Sequence, residues 1–261
     1  MTKRLFPVIL LLGALLLNGC ALFPAGRPPL PEEDRISQPA RLALEELDRR
    51  NAALSSFKGL GKISLKKEGR QMQARLALMA VLPDKIRFEV LSPSGQPFLS
   101  LSTDGSDFYL RQHGDKGRFI KRSARRLTLE KFLHVPVTAE DIIQLLAGRV
   151  PLIDYDTAVL TADSDQVNRL TVKDWSQDRR EVIYLDPVTG RPLRLEFFDG
   201  NDKQPVYSFA PLGEKDIAGY DIPEKILLSG ADGLAVTITL DRYWADITVT
   251  PDKFVLTDPR E

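Results

Sequence analysis

The alternation of apolar and polar side chains divides this chain into a short helical opening, a long run of strands and a helical insert near the middle. Residues 5–17, LFPVILLLGALLL, form an almost unbroken apolar run behind a basic head of Lys3 and Arg4. Between Ala40 and Leu54, Leu44, Leu47 and Leu54 fall near one helical face among Glu45, Glu46, Asp48, Arg49 and Arg50, which predicts an amphipathic helix stopped by Ser55 and Ser56. From Phe57 the period drops to two. Leu76, Leu78, Ala80 and Leu82 alternate with Arg75, Ala77, Met79 and Val81. Ile86, Phe88 and Val90 then alternate with Arg87 and Glu89, Leu99 and Leu101 with Ser100 and Ser102, and Phe108 and Leu110 with Tyr109 and Arg111. Turns at Ser92-Pro93-Ser94-Gly95, Asp104-Gly105 and His113-Gly114 separate these runs, and a further strand reaches Phe119 and Ile120.

The strand pattern is interrupted after Ile120. Residues 128–133 predict a turn or two of helix, and residues 138–147 a better-marked one. Thr138 stands at its N-cap with Asp141 three residues on, an approximate capping box. Val137 and Ile142 are spaced for a hydrophobic staple, and Gly148 and Pro151 end the helix. With Ile142, Ile143, Leu145 and Leu146 it is too apolar to lie free on a surface. Strands resume at Leu170 and Val172, then Val182, Tyr184 and Leu185. Leu193, Leu195 and Phe197 alternate with Arg194 and Glu196, Ile226 and Leu228 follow, and Val236, Ile238 and Leu240 alternate with Thr237, Thr239 and Asp241. The fold class is mainly β (α+β), an antiparallel meander of about ten or eleven strands joined by short turns.

The first apolar run is too short to span a bilayer. Thirteen residues at ~1.5 Å each fall well below the ~30 Å hydrocarbon core. A charged head, a short apolar body and small residues at its end have the form of a secretory signal. Leu17-Asn18-Gly19-Cys20 resembles the lipobox of bacterial lipoprotein precursors, in which the cysteine is lipidated and becomes the first residue. An ordinary signal peptide with an incidental cysteine, or a plain anchor helix, are the alternatives. Cys20 is the one cysteine of the chain, so no internal disulfide can form. On the lipobox reading residues 1–19 are the signal peptide, 20–39 a tether, 40–250 the folded domain and 251–261 a C-terminal tail. The tether carries Pro24, Pro28, Pro29, Pro31 and Pro39; extended at up to ~3.1 Å per residue, it lifts the domain about 50 Å off the membrane. The resemblance implies a diacylglycerol thioether and an N-acyl chain such as palmitate. Each buried CH₂ contributes about 0.8 kcal/mol, so two or more chains hold firmly. Residue 21 is Ala rather than Asp, which under the enterobacterial sorting pattern points to the outer membrane, facing the periplasm.

Charge narrows the function further. The chain has 36 basic and 36 acidic side chains, and removing Lys3 and Arg4 leaves 34 against 36. A near-neutral body has no global field to gather nucleic acid. The densest basic run is Lys116, Arg118, Lys121, Arg122, Arg125 and Arg126. It is either a solvated hairpin edge or a contact for anionic headgroups, where each cation is worth about 1 kcal/mol. Only two histidines occur, His113 and His134, neither at metal-ligand spacing. No G-x-S-x-G or phosphate-binding loop is present. Asp163-Ser164-Asp165 and the acidic residues of 199–202 fit turn chemistry better than calcium binding. No catalytic residue, metal or cofactor is expected, and the chain does not read as an enzyme.

The order of elements resembles that of the outer-membrane lipoprotein receptor LolB and the soluble carrier LolA. Three stretches carry the likeness: Arg87-Phe88-Glu89-Val90-Leu91-Ser92-Pro93-Ser94-Gly95 with the strand after it; residues 138–148, TAEDIIQLLAG; and the late hairpin from Pro223-Glu224-Lys225-Ile226 to Leu240-Asp241-Arg242-Tyr243-Trp244. The resemblance implies an incomplete antiparallel β-barrel capped by short helices, with acyl chains held between sheet and lid. The implied lipid cavity is lined by Phe88, Val90, Leu99, Leu101, Ile142, Leu145, Leu146, Leu195 and Phe197. The implied membrane-facing loop is Ser94, Gly95 and Phe98, although the family places an exposed apolar residue at a tip that here is Ser94-Gly95. Implied partners are acylated lipoproteins or lipids and a periplasmic LolA-like carrier. The other reading open at this point is a structural or accessory envelope lipoprotein using the same sheet as a protein-binding module.

Overall fold

A computed structural model describes residues 35–114, 117–124, 128, 135–162 and 166–258. Cys20 and the rest of 1–34, Lys116, Arg125, Arg126, His134, the helical turn expected at 129–133 and Asp163-Ser164-Asp165 lie outside the described residues. Thirteen strands make one antiparallel sheet. In chain order they are β1 (Ser56–Lys67), β2 (Arg70–Val81), β3 (Lys85–Leu91), β4 (Pro97–Asp104), β5 (Asp107–Gln112), β6 (Phe119–Ser123), β7 (Thr157–Ala162), β8 (Asn168–Asp174), β9 (Arg179–Leu185), β10 (Pro192–Asp199), β11 (Tyr207–Ile217), β12 (Tyr220–Gly230) and β13 (Ala235–Ala245). Two helices accompany them, α1 (Gln38–Arg49) before the first strand and α2 (Ala139–Leu146) between β6 and β7.

The strand order is β6-β5-β4-β3-β2-β1-β13-β12-β11-β10-β9-β8-β7. Every neighbour is a chain neighbour except at one seam, where β1 pairs β13. The edges are therefore β6 and β7, and the sheet is not closed. This is the incomplete antiparallel barrel that the resemblance implies, built on the meander that the periodicity predicts, with two or three strands more than expected. β7 and β11 carry no clean alternation. β11 contains Pro211 and Gly213, residues that weaken a strand signal, yet Pro211 sits opposite Ile226 in the ladder.

The inner face is mostly apolar. Phe57 on β1, Leu76, Leu78 and Ala80 on β2, Ile86 on β3, and Val236, Leu240 and Tyr243 on β13 join the buried core with both helices. Phe57 stacks on Tyr243 with ring centroids 5.2 Å apart. At the seam the register slips between Leu60 and Gly61, leaving Asp241 as the extra residue of a bulge, which adds local twist where the first and last strands meet. Gly61 is required there, because a Cβ would stand 1.9 Å from the carbonyl oxygen of Thr239.

α2 lies over the concave side against β3 and β12. Its N-terminus has the expected capping box: the Thr138 hydroxyl accepts from the Asp141 N–H at 3.1 Å, and the Asp141 carboxylate accepts from the Thr138 N–H at 2.9 Å. Val137, Ile142, Ile143, Leu145 and Leu146 are all buried. At its C-terminus the Arg149 N–H reaches the Gln144 carbonyl (2.8 Å) and the Gly148 N–H the Leu145 carbonyl (3.0 Å), a Schellman closure with Gly148 at φ +69°. This end is tied to its surroundings. Asn51 Nδ2 donates to the Ala147 carbonyl (2.9 Å) and the Asp221 carbonyl (2.8 Å), and the Arg149 guanidinium donates to the carbonyls of Asn51, Ala52 and Leu54. α1 packs along β7, where the Ser37 N–H meets the Ala158 carbonyl at 3.0 Å.

The chain after β13 returns to the outer face of β3 and β4 as a 3₁₀ turn, Pro251–Phe254. The Ser102 hydroxyl donates to the Phe254 carbonyl (2.7 Å) and Arg87 to the Lys253 carbonyl (2.9 Å), and Phe254 is wholly buried.

Two stability predictions follow from these contacts. Gly61→Ala is expected to lose about 2–3 kcal/mol in urea unfolding through backbone overpacking, more than Gly69→Ala. Gly69 has φ +77° but open space around its Cβ position, so only about 1 kcal/mol of left-handed strain is at stake. Equal losses at the two glycines would contradict the seam geometry. Phe254→Ala is expected to cost about 3–5 kcal/mol, read in the same way; a loss below ~1 kcal/mol would mean that the C-terminal turn is not part of the core.

Candidate functional site

Cross-strand pairing sets two adjacent rows of inward side chains on the β7–β12 half of the sheet. One row is Leu160, Leu170, Ile183, Leu195, Phe209 and Leu228. The other is Ala158, Val172, Glu181, Phe197, Tyr207 and Gly230. A carboxylate thus occupies an apolar row, between Val172 and Phe197. Next to it Phe197 and Tyr207 stack with centroids 4.9 Å apart, and Tyr207 meets Phe209 edge-on at 5.4 Å.

Above these rows α2 does not complete the cover. A cavity of about 550 Å³ opens between the Leu195, Phe197, Tyr207 and Phe209 floor, the polar flank of α2 (Thr138, Glu140, Asp141, Gln144) and the segment 149–154. That volume lies in the range of small-molecule sites, ~300–1,000 Å³. A second space of about 250 Å³ beside Leu145, Pro192, Pro211 and Ile226 shares Arg149, Val150 and Leu195 with the first. The larger cavity therefore has an aromatic floor and a polar rim.

The rim is acidic. Glu181 is 5 % exposed, and its one hydrogen bond among the described residues is from the Ile153 N–H to Oε2 at 3.2 Å. Burial pushes its carboxyl up to about 8. Burial also raises Asp141, against the lowering effect of its bonds to Thr138, and raises Glu140. Tyr207, 9 % exposed, is held well above the usual phenol range by burial and by the neighbouring Asp141 and Glu181. Among the described residues no group of three or more His, Cys, Asp or Glu is arranged to hold a metal ion.

The residues singled out from the sequence are placed in three ways. Leu195 and Phe197 line the larger cavity, and Leu145 with Leu195 the smaller. Ile142 and Leu146 are meshed with the sheet in the core, and Phe88 packs against that core; none of these three lines either cavity. Val90, Leu99 and Leu101 share the inner face with Phe88, in cross-strand pairs Val90–Leu99 and Phe88–Leu101, on the other half of the sheet. They are half-buried and away from both cavities. The open space thus lies beside α2 rather than under its apolar face. At the β3–β4 hairpin, Gly95 takes φ +85°, the Ser92 N–H reaches the Gln96 carbonyl (2.8 Å), and Ser92 and Ser94 share a hydroxyl contact. Phe98 behind this tip is 53 % exposed. Of the described basic residues, Lys121 pairs with Asp107 at 2.9 Å and lies over the Tyr109 ring.

Sequence reasoning missed Glu181, Tyr207 and Phe209. The phase of β9 was the missed signal: Glu181, Ile183 and Leu185 point inward and Val182 and Tyr184 outward, whereas the sequence offered Val182, Tyr184 and Leu185 without a phase. Val182 pairs with Glu196 on the outer face, where the Tyr184 hydroxyl donates to Glu196 at 2.8 Å.

No protein-family model and no curated protein matches the sequence. Solved structures do match the fold. An outer membrane lipoprotein-sorting protein domain from Vibrio parahaemolyticus is 16 % identical, with 82 % of this chain covering 94 % of it at a TM-score of 0.60. A DUF1329 family protein from Desulfovibrio piger is 13 % identical, with coverages of 85 % and 98 % and a TM-score of 0.60. A LolA superfamily protein from Nitrosomonas europaea is 16 % identical, with coverages of 83 % and 97 % and a TM-score of 0.53. At such identities the likeness is one of architecture, and the architecture is LolA-like.

Proposed function

We propose that this protein is a lipid-anchored envelope protein that shelters acyl chains of lipoproteins or lipids and aids their placement in the outer membrane. The observation that carries the reading is the 550 Å³ cavity, floored by Leu195, Phe197, Tyr207 and Phe209, on the fold of a lipoprotein-sorting domain. An acyl chain that buries eight methylenes against such a floor gains about 6 kcal/mol, at ~0.8 kcal/mol per CH₂, which suits reversible carriage. No covalent step is needed. Loading requires a path past the α2 flank and the 149–154 segment, because the helix's apolar face is already buried. The lipobox at Cys20 supports anchorage, Ala21 supports the outer membrane under the sorting pattern, and a soluble carrier of the same fold is the natural donor.

Two experiments test this. The otherwise complete chain carrying Cys20→Ser, titrated with a fluorescent long-chain acyl ester, is expected to saturate with a micromolar Kd. Gln144→Trp, a partly exposed position on the cavity wall, is expected to weaken binding at least tenfold without changing the circular dichroism spectrum. Absence of saturable binding, or indifference to Gln144→Trp, would move the protein to the protein-binding reading. Separately, the wild-type chain expressed with labelled palmitate is expected to carry label and sediment with membranes, and Cys20→Ser to lose both. Label retained in that variant would remove the lipobox assignment.

A further inference from the structure

The larger cavity holds more polar chemistry than an acyl chain can use. Five carboxylates line it: Asp48 on α1, Glu140 and Asp141 on α2, Asp154 on the following segment and Glu181 on β9. Two arginines line it as well, and both are engaged elsewhere. The Arg149 guanidinium is spent on the carbonyls of Asn51, Ala52 and Leu54, and Arg179 bonds the Asp174 carboxylate at 2.9 Å. Arg179 Nε is buried without an acceptor, so it is closed to a ligand. Among the described residues none of the five carboxylates has an ion-pair partner.

Two of the deepest groups also have unused hydrogen-bonding capacity. Glu181 uses one oxygen on the Ile153 N–H, and among the described residues no donor reaches Oε1. Tyr207, nine-tenths buried, makes no hydrogen bond through its hydroxyl among the described residues, and Asp141 and Glu181 are the carboxylates that act on it electrostatically. Neither of these two oxygens is sealed off, since both residues line the cavity and neither atom is among the fully buried unpaired ones. A buried polar group left unsatisfied costs about 1–3 kcal/mol. The acceptors here therefore face the cavity without donors from the described residues.

We propose that the cavity is a site for an amphiphile with a primary ammonium head, the chain lying on Phe197, Tyr207 and Phe209 and the ammonium donating to Glu181, Tyr207 and Asp141. The inference rests on the acyl-binding reading and adds the head to it. An ammonium has three donors and no acceptor, which complements a pocket end offering acceptors and negative charge. An alcohol head satisfies fewer of them, and a carboxylate head meets like charge. Because burial holds Glu181 largely protonated below about pH 8, binding a cation there expels its proton. Affinity for an amine therefore rises with pH, by up to roughly tenfold per unit below 8, and then levels. Of the other groups around the cavity, Asp141, also raised by burial, and Tyr207 act on Glu181, while Asp48, Glu140 and Asp154 and the engaged Arg149 and Arg179 complete the charged lining.

The test uses the complete chain carrying Cys20→Ser and displacement of the fluorescent acyl ester by dodecylamine, dodecanol and dodecanoate. At pH 8.5 dodecylamine is expected to displace at a concentration at least tenfold lower than dodecanol, with dodecanoate the weakest, and the amine's advantage is expected to shrink at pH 6. Glu181→Gln and Tyr207→Phe are each expected to reduce that advantage to under threefold by weakening the amine more than dodecanol. Glu181→Gln also has a readout without ligand: the wild type should lose thermal stability as pH rises from about 4.5 to 8, since its native state holds a proton that the unfolded chain releases, and the variant should not. Equal displacement by amine and alcohol at pH 8.5, or preference for dodecanoate, overturns the ammonium site and leaves acyl binding standing. Failure of all three probes overturns the acyl-binding reading itself. Phosphatidylethanolamine against a diacylated lipopeptide with a free amino terminus then separates a lipid headgroup from an acylated polypeptide as the source of the amine; an N-acetylated lipopeptide that displaces equally well would count against the proposal.

Discussion

An open sheet with one apolar face has to be covered, and that constraint organises this molecule. Pairing of β1 with β13 joins the two ends of the meander and pushes the unpaired edges to β6 and β7, the strands on either side of the insert. The chain must cross from one edge to the other, and the crossing carries the apolar helix over the concave face. One connection thus fills the interior and bridges the opening. Full closure would have removed the edges without a helix, but it would have left no flank at which a cavity could form.

The cover is uneven, and the unevenness locates the site. At its C-terminal end α2 is fastened by the Schellman closure, by Asn51 and by the Arg149 guanidinium, so helix, β1 approach and β12 form one hydrogen-bonded knot. Gly148 permits it: a Cβ there would meet the Asp221 carbonyl oxygen at 2.2 Å. The helix turns its polar flank, with Glu140, Asp141 and Gln144, towards β9–β11, and among the described residues no side chain fills the gap. Glu181 in the midst of an apolar row breaks local consistency. Such breaks concentrate at sites where function outweighs packing.

Much of the architecture was legible because antiparallel strands with one wet face write their phase into the sequence. The Leu76–Leu78–Ala80 and Leu195–Phe197 alternations, the capping box at Thr138 and the burial of Val137 and Ile142 all follow from local rules. The missed strands have local causes as well. β11 hides behind Pro211 and Gly213, and the phase of β9 is ambiguous because Val182 and Tyr184 are as apolar as Ile183 and Leu185, their outer face being partly covered by Glu196 and its neighbours. The cavity was legible only in part: Leu145, Leu195 and Phe197 were expected to line one and do, but its place beside α2 was not. Whether Ile142 and Leu146 bound a hollow or fill it depends on how far the helix sinks into the sheet, a distance no periodicity encodes.

The cavity's two surfaces do different work. The aromatic floor supplies affinity to any hydrocarbon of suitable length, because non-polar transfer is indifferent to what the chain is attached to. Discrimination has to come from the rim, where charge and hydrogen-bond direction are fixed by backbone: Glu181 by its place on β9 and its bond from Ile153, Asp141 by its duty at the helix cap. Asp141 cannot turn away without uncapping α2, so the helix that covers the core also holds one wall of the polar end in position. The stability of the fold and the selectivity of the cavity therefore meet at one side chain, and a change that loosens the cap must alter both.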